Sequence, residues 1–254
     1  MNYGYCHLSI IPLREKPADT SQMVSQLLFG DVFEIIETVS DNWIHIRNSY
    51  DGYEGYIDPK QQISINEAEY QALKEVKQSN KTVLKIDSSQ GQLLLPPACS
   101  FPTNNIKLNG FSANLDSVSL SAFEETAFSE IGSLAMSFLN APYLWGGKTP
   151  FGVDCSGFTQ SVFKMCGISL KRDASQQAKQ GETLNFLEEC RVGDLAFFDN
   201  SEGHIIHVGI LLEDQKIIHA SGKVRIDTID HHGIYNETLQ KYTHQLRLLK
   251  RLKN

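Results

Sequence analysis

One cysteine of the chain lies where a glycine-rich stretch runs into a predicted helix. The stretch reads Tyr143-Leu-Trp-Gly-Gly, followed four residues later by Gly152-Val-Asp-Cys155-Ser-Gly-Phe. A helix N-terminus carries partial positive charge and free amide donors, which lower the pKa of a thiol and can bind an oxyanion. Neighbouring glycines would let a substrate backbone approach closely. The pattern indicates a nucleophilic thiol at Cys155; the ordinary alternative is a small buried cysteine.

Histidines that follow could supply the base that such a thiol needs. His207 begins the run His-Val-Gly-Ile-Leu-Leu, and His219 ends the run Lys-Ile-Ile-His-Ala. Two adjacent antiparallel strands would place these imidazoles side by side. The pair therefore predicts a Cys–His–polar triad. We expect His204 in a loop over the site and the pair His231-His232 in a solvated turn.

A zinc site is the competing interpretation, since His204, His207, His219 and Cys155 make a conceivable ligand set. Residues three apart at the start of a strand point to opposite or staggered faces, however. The chain also has no Cys-x2-Cys pair. We therefore favour acid–base chemistry and predict neither a metal nor an organic cofactor.

The elements before about residue 120 predict a small β-barrel. Strand-like runs at 32–36, 43–47 and 53–57 are separated by the turn formers Phe29-Gly-Asp, Ser40-Asp-Asn and Asp51-Gly. Residues 66–77 favour a helix. Residues 81–115 return to strand-like runs, which we expect to add strands to this barrel region.

Residues 121–254 predict helices first and an antiparallel sheet afterwards, the α+β arrangement. An apolar stripe over 121–139, with Ser121 as a cap, predicts one helix, and a second runs from about Cys155 to Met165. Strand-like runs follow at 195–198, 207–212, 217–220 and 247–252. The change of pattern predicts two domains, residues 1–120 and 121–254.

Composition narrows the function classes. The 254 residues carry a net charge of −7, which disfavours binding to nucleic acid or an anionic membrane, and no stretch is apolar enough for membrane insertion. Five scattered cysteines fit free thiols better than a disulfide framework. With no signal peptide evident, we expect a cytoplasmic protein; an envelope location would follow if a leader had been removed.

Five motifs in chain order resemble those of the NlpC/P60 cysteine peptidases, a family with a papain-like fold. They are Tyr143-Leu-Trp-Gly-Gly, Asp154-Cys-Ser-Gly-Phe, Arg191-Val-Gly-Asp-Leu-Ala-Phe-Phe, His207-Val-Gly-Ile and Ile218-His-Ala-Ser. The resemblance implies Cys155 as nucleophile, His207 as general base and acid, and His219 as the polar residue that orients His207. It also places Tyr143 near the oxyanion site.

Residues 24–57 are similar to bacterial SH3-like domains. Together with the peptidase motifs, they resemble the subgroup that cleaves between γ-D-glutamate and a diamino acid in murein peptides with a free N-terminal L-Ala. The resemblance therefore implies an enzyme acting on cell-wall peptides, and we expect it to be a monomer.

A buried ammonium group of such a substrate needs a carboxylate. Asp154 is the candidate anion and Ser156 a helper, although an aspartate there can equally be a helix N-cap. The resemblance adds Ser175 and Trp145 to the predicted substrate-binding residues.

From the SH3-like region we predict a contribution from Tyr53 and, as second choice, from Tyr56, whose ordinary alternative is a place in the barrel core. The acidic residue that related SH3-like domains place near the substrate amine has no secure counterpart in the sequence.

Two other function classes stay open. The papain-like fold also serves amidases and acyltransferases with a similar Cys–His pair. A non-catalytic wall-binding protein is the second alternative, but such a protein has no use for Cys155, His207 and His219.

Overall fold

The computed structural model describes residues 2–75, 78–102, 105–115, 121–122 and 129–252. The chain divides into two compact units, residues 1–123 and 124–254. Within the described ranges, every helix is too short or too polar to span a bilayer.

The first unit is built on a seven-stranded antiparallel sheet, in which the predicted runs at 32–36, 43–47 and 53–57 are all strands. Its alternating side chains bury a core that includes Ile11, Leu27, Phe33 and Ile46. The strands are β1 (Asn2–Tyr5), β2 (Ile10–Arg14), β3 (Met23–Leu28), β4 (Val32–Ser40), β5 (Trp43–Asn48), β6 (Glu54–Ile57) and β7 (Ile63–Ile65), in the order β3-β2-β6-β5-β4-β1-β7.

The turn between β3 and β4 requires a glycine at position 30 and an aspartate at position 31. Gly30 has φ +88°, and a Cβ there would overlap the backbone of Ser100. The carboxylate of Asp31 accepts a hydrogen bond from the backbone N–H of Leu28 at 2.9 Å, which closes the turn. Glycine and aspartate are therefore both required by the local geometry.

The rest of the first unit is a helix and smaller sheets. Helix α1 (Glu67–Lys74) starts with a capping box between Asn66 and Glu69, as the helix-forming residues predicted. The strands of residues 81–115 make a separate four-stranded sheet in the order β10-β9-β12-β11, formed by β9 (Leu84–Ser88), β10 (Gly91–Leu95), β11 (Ile106–Leu108) and β12 (Phe111–Asn114). β8 (Gln78–Ser79) pairs with β13 (Ser121–Ala122).

The prediction that a helix starts at residue 121 is wrong. Ser121 pairs with Ser79 in a strand instead of capping a helix, and residues 123–128 lie outside the described residues. Helix α2 (Ile131–Met136) buries Ile131, Leu134 and Ala135. The capping pattern was misleading because pairing with a distant strand outweighed it.

The second unit contains a sheet that closes on itself. Six of its strands form a closed ring, because the C-terminal strand pairs on one side with the strand at residues 195–199 and on the other with the strand at residues 233–236. A seventh strand pairs with the C-terminal strand outside the ring. The strands, in sheet order, are β16 (Glu182–Leu184), β22 (Lys241–Arg251), β17 (Leu195–Asp199), β18 (Ile205–Leu211), β19 (Lys216–Ser221), β20 (Lys223–Asp230) and β21 (Gly233–Asn236).

Helix α3 (Cys155–Met165) is buried on every side and packs against β18 and β19. Its polar side chains have partners: Thr159 donates to Gln177 of the short helix α4 (Ala174–Gln177), and Ser161 donates to the carbonyl of Lys148, each at 2.7 Å. Lys148 begins β14 (Lys148–Thr149), which pairs with β15 (Gly152–Val153) just before the helix. The helix that carries the cysteine is therefore fixed at both its start and its sides.

Candidate active site

Cys155 is the first residue of α3, as the sequence predicted. Asp154 is the N-cap, and its side chain accepts hydrogen bonds from the backbone N–H groups of Gly157 at 2.6 Å and Gly146 at 2.8 Å. A Cβ at Gly157 would overlap the carbonyl oxygen of Gly147. The glycines of this stretch therefore let the loop approach the backbone of the helix. The sequence predicted a different use for them, the close approach of a substrate backbone.

The thiol of Cys155 is buried, and its sulfur accepts hydrogen bonds from the backbone N–H groups of Ser156 and Val208. Burial and the negative charge of Asp154 nevertheless raise the pKa of this thiol to about 11. The expectation of a lowered pKa is therefore wrong for the unliganded site. A helix terminus acts on the thiol only through the local backbone, whereas the packing of β18 over the sulfur removes water from it.

His207 on β18 and His219 on β19 are neighbours, as the strand pairing predicted. His207 Nε2 and His219 Nδ1 are 2.9 Å apart, and both rings are buried. Burial, with the neighbouring His219 and His244, holds the pKa of His207 well below its usual value. The backbone N–H of Val208 contacts the Cys155 sulfur and Val208 directly follows His207, so the strand that carries His207 lies against the start of α3. The catalytic roles of the three residues stay a prediction.

The hydrogen-bonded series continues beyond His219 to residues that the sequence reasoning missed. His219 Nε2 lies 3.0 Å from Oδ2 of Asp227 on β20, and Arg225 pairs with the same carboxylate. The signal that could have found them is the alternation of polar residues in Lys223-Val-Arg-Ile-Asp227, on the strand after that of His219.

His244 on β22 was also missed. Its ring stacks on that of His207, with ring centres 4.2 Å apart and planes 25° from parallel. Burial, with His219, lowers the pKa of His244 to about 4. His244 therefore covers one face of His207 as a neutral ring at physiological pH. It lies 37 positions beyond His207 on a strand whose pairing could not be read from local pattern.

Asp154 forms a buried ion pair that the sequence reasoning did not include. Arg172 is 1% exposed, and its terminal nitrogens contact Asp154 Oδ1 at 3.0 Å and Oδ2 at 2.5 Å. The same guanidinium donates to the hydroxyl of Ser156 at 2.9 Å. Both carboxylate oxygens of Asp154 are therefore already engaged within the unit, and the role of Asp154 and Ser156 in binding a substrate amine stays a prediction.

The other predicted residues of the second unit lie at various depths. Tyr143 is partly exposed; burial and the charges of Cys155 and Asp154 raise its pKa to about 12. Trp145 is 59% exposed, and Ser175 is exposed on α4. His204 is exposed beside Glu202, so it is not a buried member of the histidine group.

The two predicted tyrosines of the first unit are both partly buried. Tyr53 packs against the buried core, whereas Tyr56 stacks on His45 with ring centres 4.7 Å apart. A contribution of either tyrosine to substrate binding stays a prediction.

Ring nitrogens of His207, His219 and His244 lie within 4.8 Å of one another, a spacing compatible with one metal ion. The orientation fits a metal poorly, however. His207 and His219 already share a hydrogen bond, and the stacked rings of His207 and His244 aim their in-plane lone pairs along separate planes rather than at one point. The group is better described as a hydrogen-bonded and stacked cluster.

Two family models match the chain, one in each unit. Residues 140–245 match the model of the NlpC/P60 family, and residues 13–61 match that of the bacterial dipeptidyl-peptidase Sh3 domain. The chain combines an NlpC/P60 domain with a bacterial dipeptidyl-peptidase SH3 domain. The family resemblance and the α+β fold with an SH3-like region that the sequence predicted are thus confirmed.

Some relatives match nearly the whole chain, and others match less than half of it. Dipeptidyl-peptidase 6 of Lysinibacillus sphaericus is 28% identical over 89% of this chain and 92% of that protein. The gamma-D-glutamyl-L-lysine dipeptidyl-peptidase of Bacillus subtilis is 42% identical over 43% of this chain, and the match spans only 37% of its own length. An NlpC/P60 family protein of Bacillus cereus has the same fold, with a TM-score of 0.77 at 19% identity, over 98% of this chain and 99% of that one.

Proposed function

We propose that the protein is a cysteine peptidase that cleaves the bond between γ-D-glutamate and an L-diamino acid in murein peptides with a free N-terminal L-Ala. The observation that carries the proposal is the contact of the Cys155 sulfur with the backbone beside His207, whose ring is bonded to that of His219. The names of the two dipeptidyl-peptidase relatives support the substrate class.

The unliganded site is best described as a neutral thiol beside a neutral imidazole. In the first step, the thiol proton passes to His207 while the sulfur attacks the γ-carbonyl of D-Glu. His207 then gives that proton to the departing amine of the diamino acid. His219 accepts a hydrogen bond from the far side of His207 and keeps its ring in place.

A thioester of L-Ala-γ-D-Glu with Cys155 remains after the amine has left. His207 removes a proton from water, which attacks the thioester carbonyl, and the returning proton restores the thiol. Tyr143 can stabilise the oxyanion in both steps, since a hydroxyl with a pKa of about 12 stays protonated and donates a hydrogen bond.

The test is digestion of defined peptides with product analysis by mass spectrometry. L-Ala-γ-D-Glu-L-Lys and the corresponding diaminopimelate peptide should give L-Ala-γ-D-Glu and the free diamino acid. Cys155→Ala should abolish the reaction, whereas replacement of Cys190, a partly buried cysteine in the segment before β17, by alanine should not. A metal chelator should leave the rate unchanged.

Specificity for the free N-terminus is tested by acetylating the L-Ala of the same peptides. Acetylation should remove activity if an ammonium group is recognised, and equal rates would contradict the dipeptidyl specificity. Cleavage at another amide, or acyl transfer to an added amine, would instead show an amidase or acyltransferase on the same scaffold.

A further inference from the structure

A carboxylate and a guanidinium extend the two histidines into a series of four side chains. His207 Nε2 is 2.9 Å from His219 Nδ1, and His219 Nε2 is 3.0 Å from Asp227 Oδ2. Arg225 donates to Asp227 Oδ1 at 2.8 Å, and its Nε lies 2.7 Å from Oδ2. The histidines and Asp227 are buried, and Arg225 is partly exposed.

The carboxylate determines where the imidazole protons lie. Burial alone would raise the pKa of Asp227, but hydrogen bonds from His219 and Arg225 hold it below its usual value. An ionised carboxylate only accepts hydrogen bonds. His219 must therefore carry a proton on Nε2, and in the neutral ring its Nδ1 has a lone pair.

The proton of the next ring, that of His207, is fixed in the same way. Since His219 Nδ1 accepts, the proton between the two histidines belongs to Nε2 of His207. Neutral His207 then has its lone pair on Nδ1, the nitrogen that does not face His219. This is the atom available to take the proton of Cys155.

We propose that Asp227, held by Arg225, fixes the tautomers of His219 and His207 and so keeps the lone pair of His207 available to the thiol. Asp227 is a positioning residue, because it acts through His219. Its role in turnover rests on the function proposed above, whereas the tautomers can be measured without any substrate.

Asp227→Asn separates this role from a structural one. An amide nitrogen in place of Oδ2 would donate to His219 Nε2, which moves the proton to Nδ1 and reverses both tautomers. Loss of the equivalent proton control in a serine protease triad costs about 10⁴-fold. With one more ring between the carboxylate and the reaction, we expect a fall in kcat of about 10²- to 10³-fold, with KM changed less than about threefold.

The matched control is Asp230→Asn on the same strand, since Asp230 accepts hydrogen bonds from the hydroxyl of Tyr242 and the backbone N–H groups of His232 and Gly233, and not from a ring of the histidine cluster. It should keep kcat within about twofold, and Asp227→Glu should recover part of the rate because it restores a carboxylate. Equal kcat in Asp227→Asn and Asp230→Asn, at matched thermal midpoints, would overturn the proposal.

A direct measurement keeps the proposal testable if Asp227→Asn does not fold. Long-range ¹H–¹⁵N spectra of the imidazoles in the unaltered full chain at neutral pH should show both His207 and His219 protonated at Nε2 only. A proton on Nδ1 of either ring would refute the proposal. Failure of peptide cleavage with the expected tautomers would count against the proposed function instead.

Discussion

Replacing Arg172 with methionine should strongly destabilise the NlpC/P60 unit, because it leaves a buried carboxylate without its cation. Methionine keeps much of the length of the arginine stem but cannot donate hydrogen bonds. Asp154 is 5% exposed, and it would retain the backbone N–H groups of Gly146 and Gly157 as partners. The change therefore removes the charge partner and preserves most of the packing.

The magnitude follows from the burial of both groups. Removing one partner of a buried ion pair costs roughly 3–5 kcal/mol. For a unit of this size, that corresponds to a fall in Tm of about 10–20 °C. Differential scanning calorimetry of the full chain measures it, with Arg247→Met as the control in the same unit. Arg247 is 62% exposed and lies 3.5 Å from Asp199, so its loss should cost less than about 1 kcal/mol.

The result also distinguishes two roles of Asp154. If Arg172→Met lowers Tm no more than Arg247→Met does, the fold does not depend on the ion pair, and a rise in KM for the peptide would then indicate that Arg172 positions Asp154 for the substrate amine. That outcome would refute the interpretation of Asp154 as a structural cap and ion-pair partner. A large fall in Tm supports the structural role.

Two further outcomes are expected. The thiol pKa of about 11 predicts that the rate of alkylation of Cys155 by iodoacetamide rises about tenfold for each pH unit from about pH 7 to 9, because the thiolate fraction increases with pH below the pKa. Peptide mass spectrometry measures the extent of alkylation. A rate that is already constant from about pH 6 would show a resting thiolate. His244→Ala should lower kcat about tenfold with KM unchanged, because it uncovers one face of His207. His244→Phe should retain most of the rate, since a phenyl ring can still stack on His207. Equal losses of kcat in both variants, or an equal loss in the surface variant His232→Ala, would contradict a stacking role.

The parts of the site that the sequence predicted depend on local signals. An aspartate cap before Cys155 fixes the start of α3, and alternation fixes the strands of His207 and His219. Adjacent strands of a meander usually pair, so the contact between the two histidines follows from chain order.

The parts that could not be predicted depend on contacts between distant segments. His244 reaches His207 only because the last strand closes the sheet, and Arg172 reaches Asp154 from a loop before α4. The error in the Cys155 pKa has the same origin. A helix terminus is visible in sequence, whereas the strand that buries the sulfur is not.

In the resting site the proton stays on the Cys155 sulfur because the three neighbouring imidazoles together disfavour a positive charge. Three imidazoles within 4.8 Å would repel one another if charged, and burial raises the cost of any charge among them. The N–H groups that contact the sulfur favour the thiolate but do not outweigh its burial. In the proposed reaction, thiolate and imidazolium therefore form together, as the sulfur approaches the carbonyl. A peptide that places its carbonyl poorly should then lose kcat as well as affinity, because the charge separation is compensated only in the transition state.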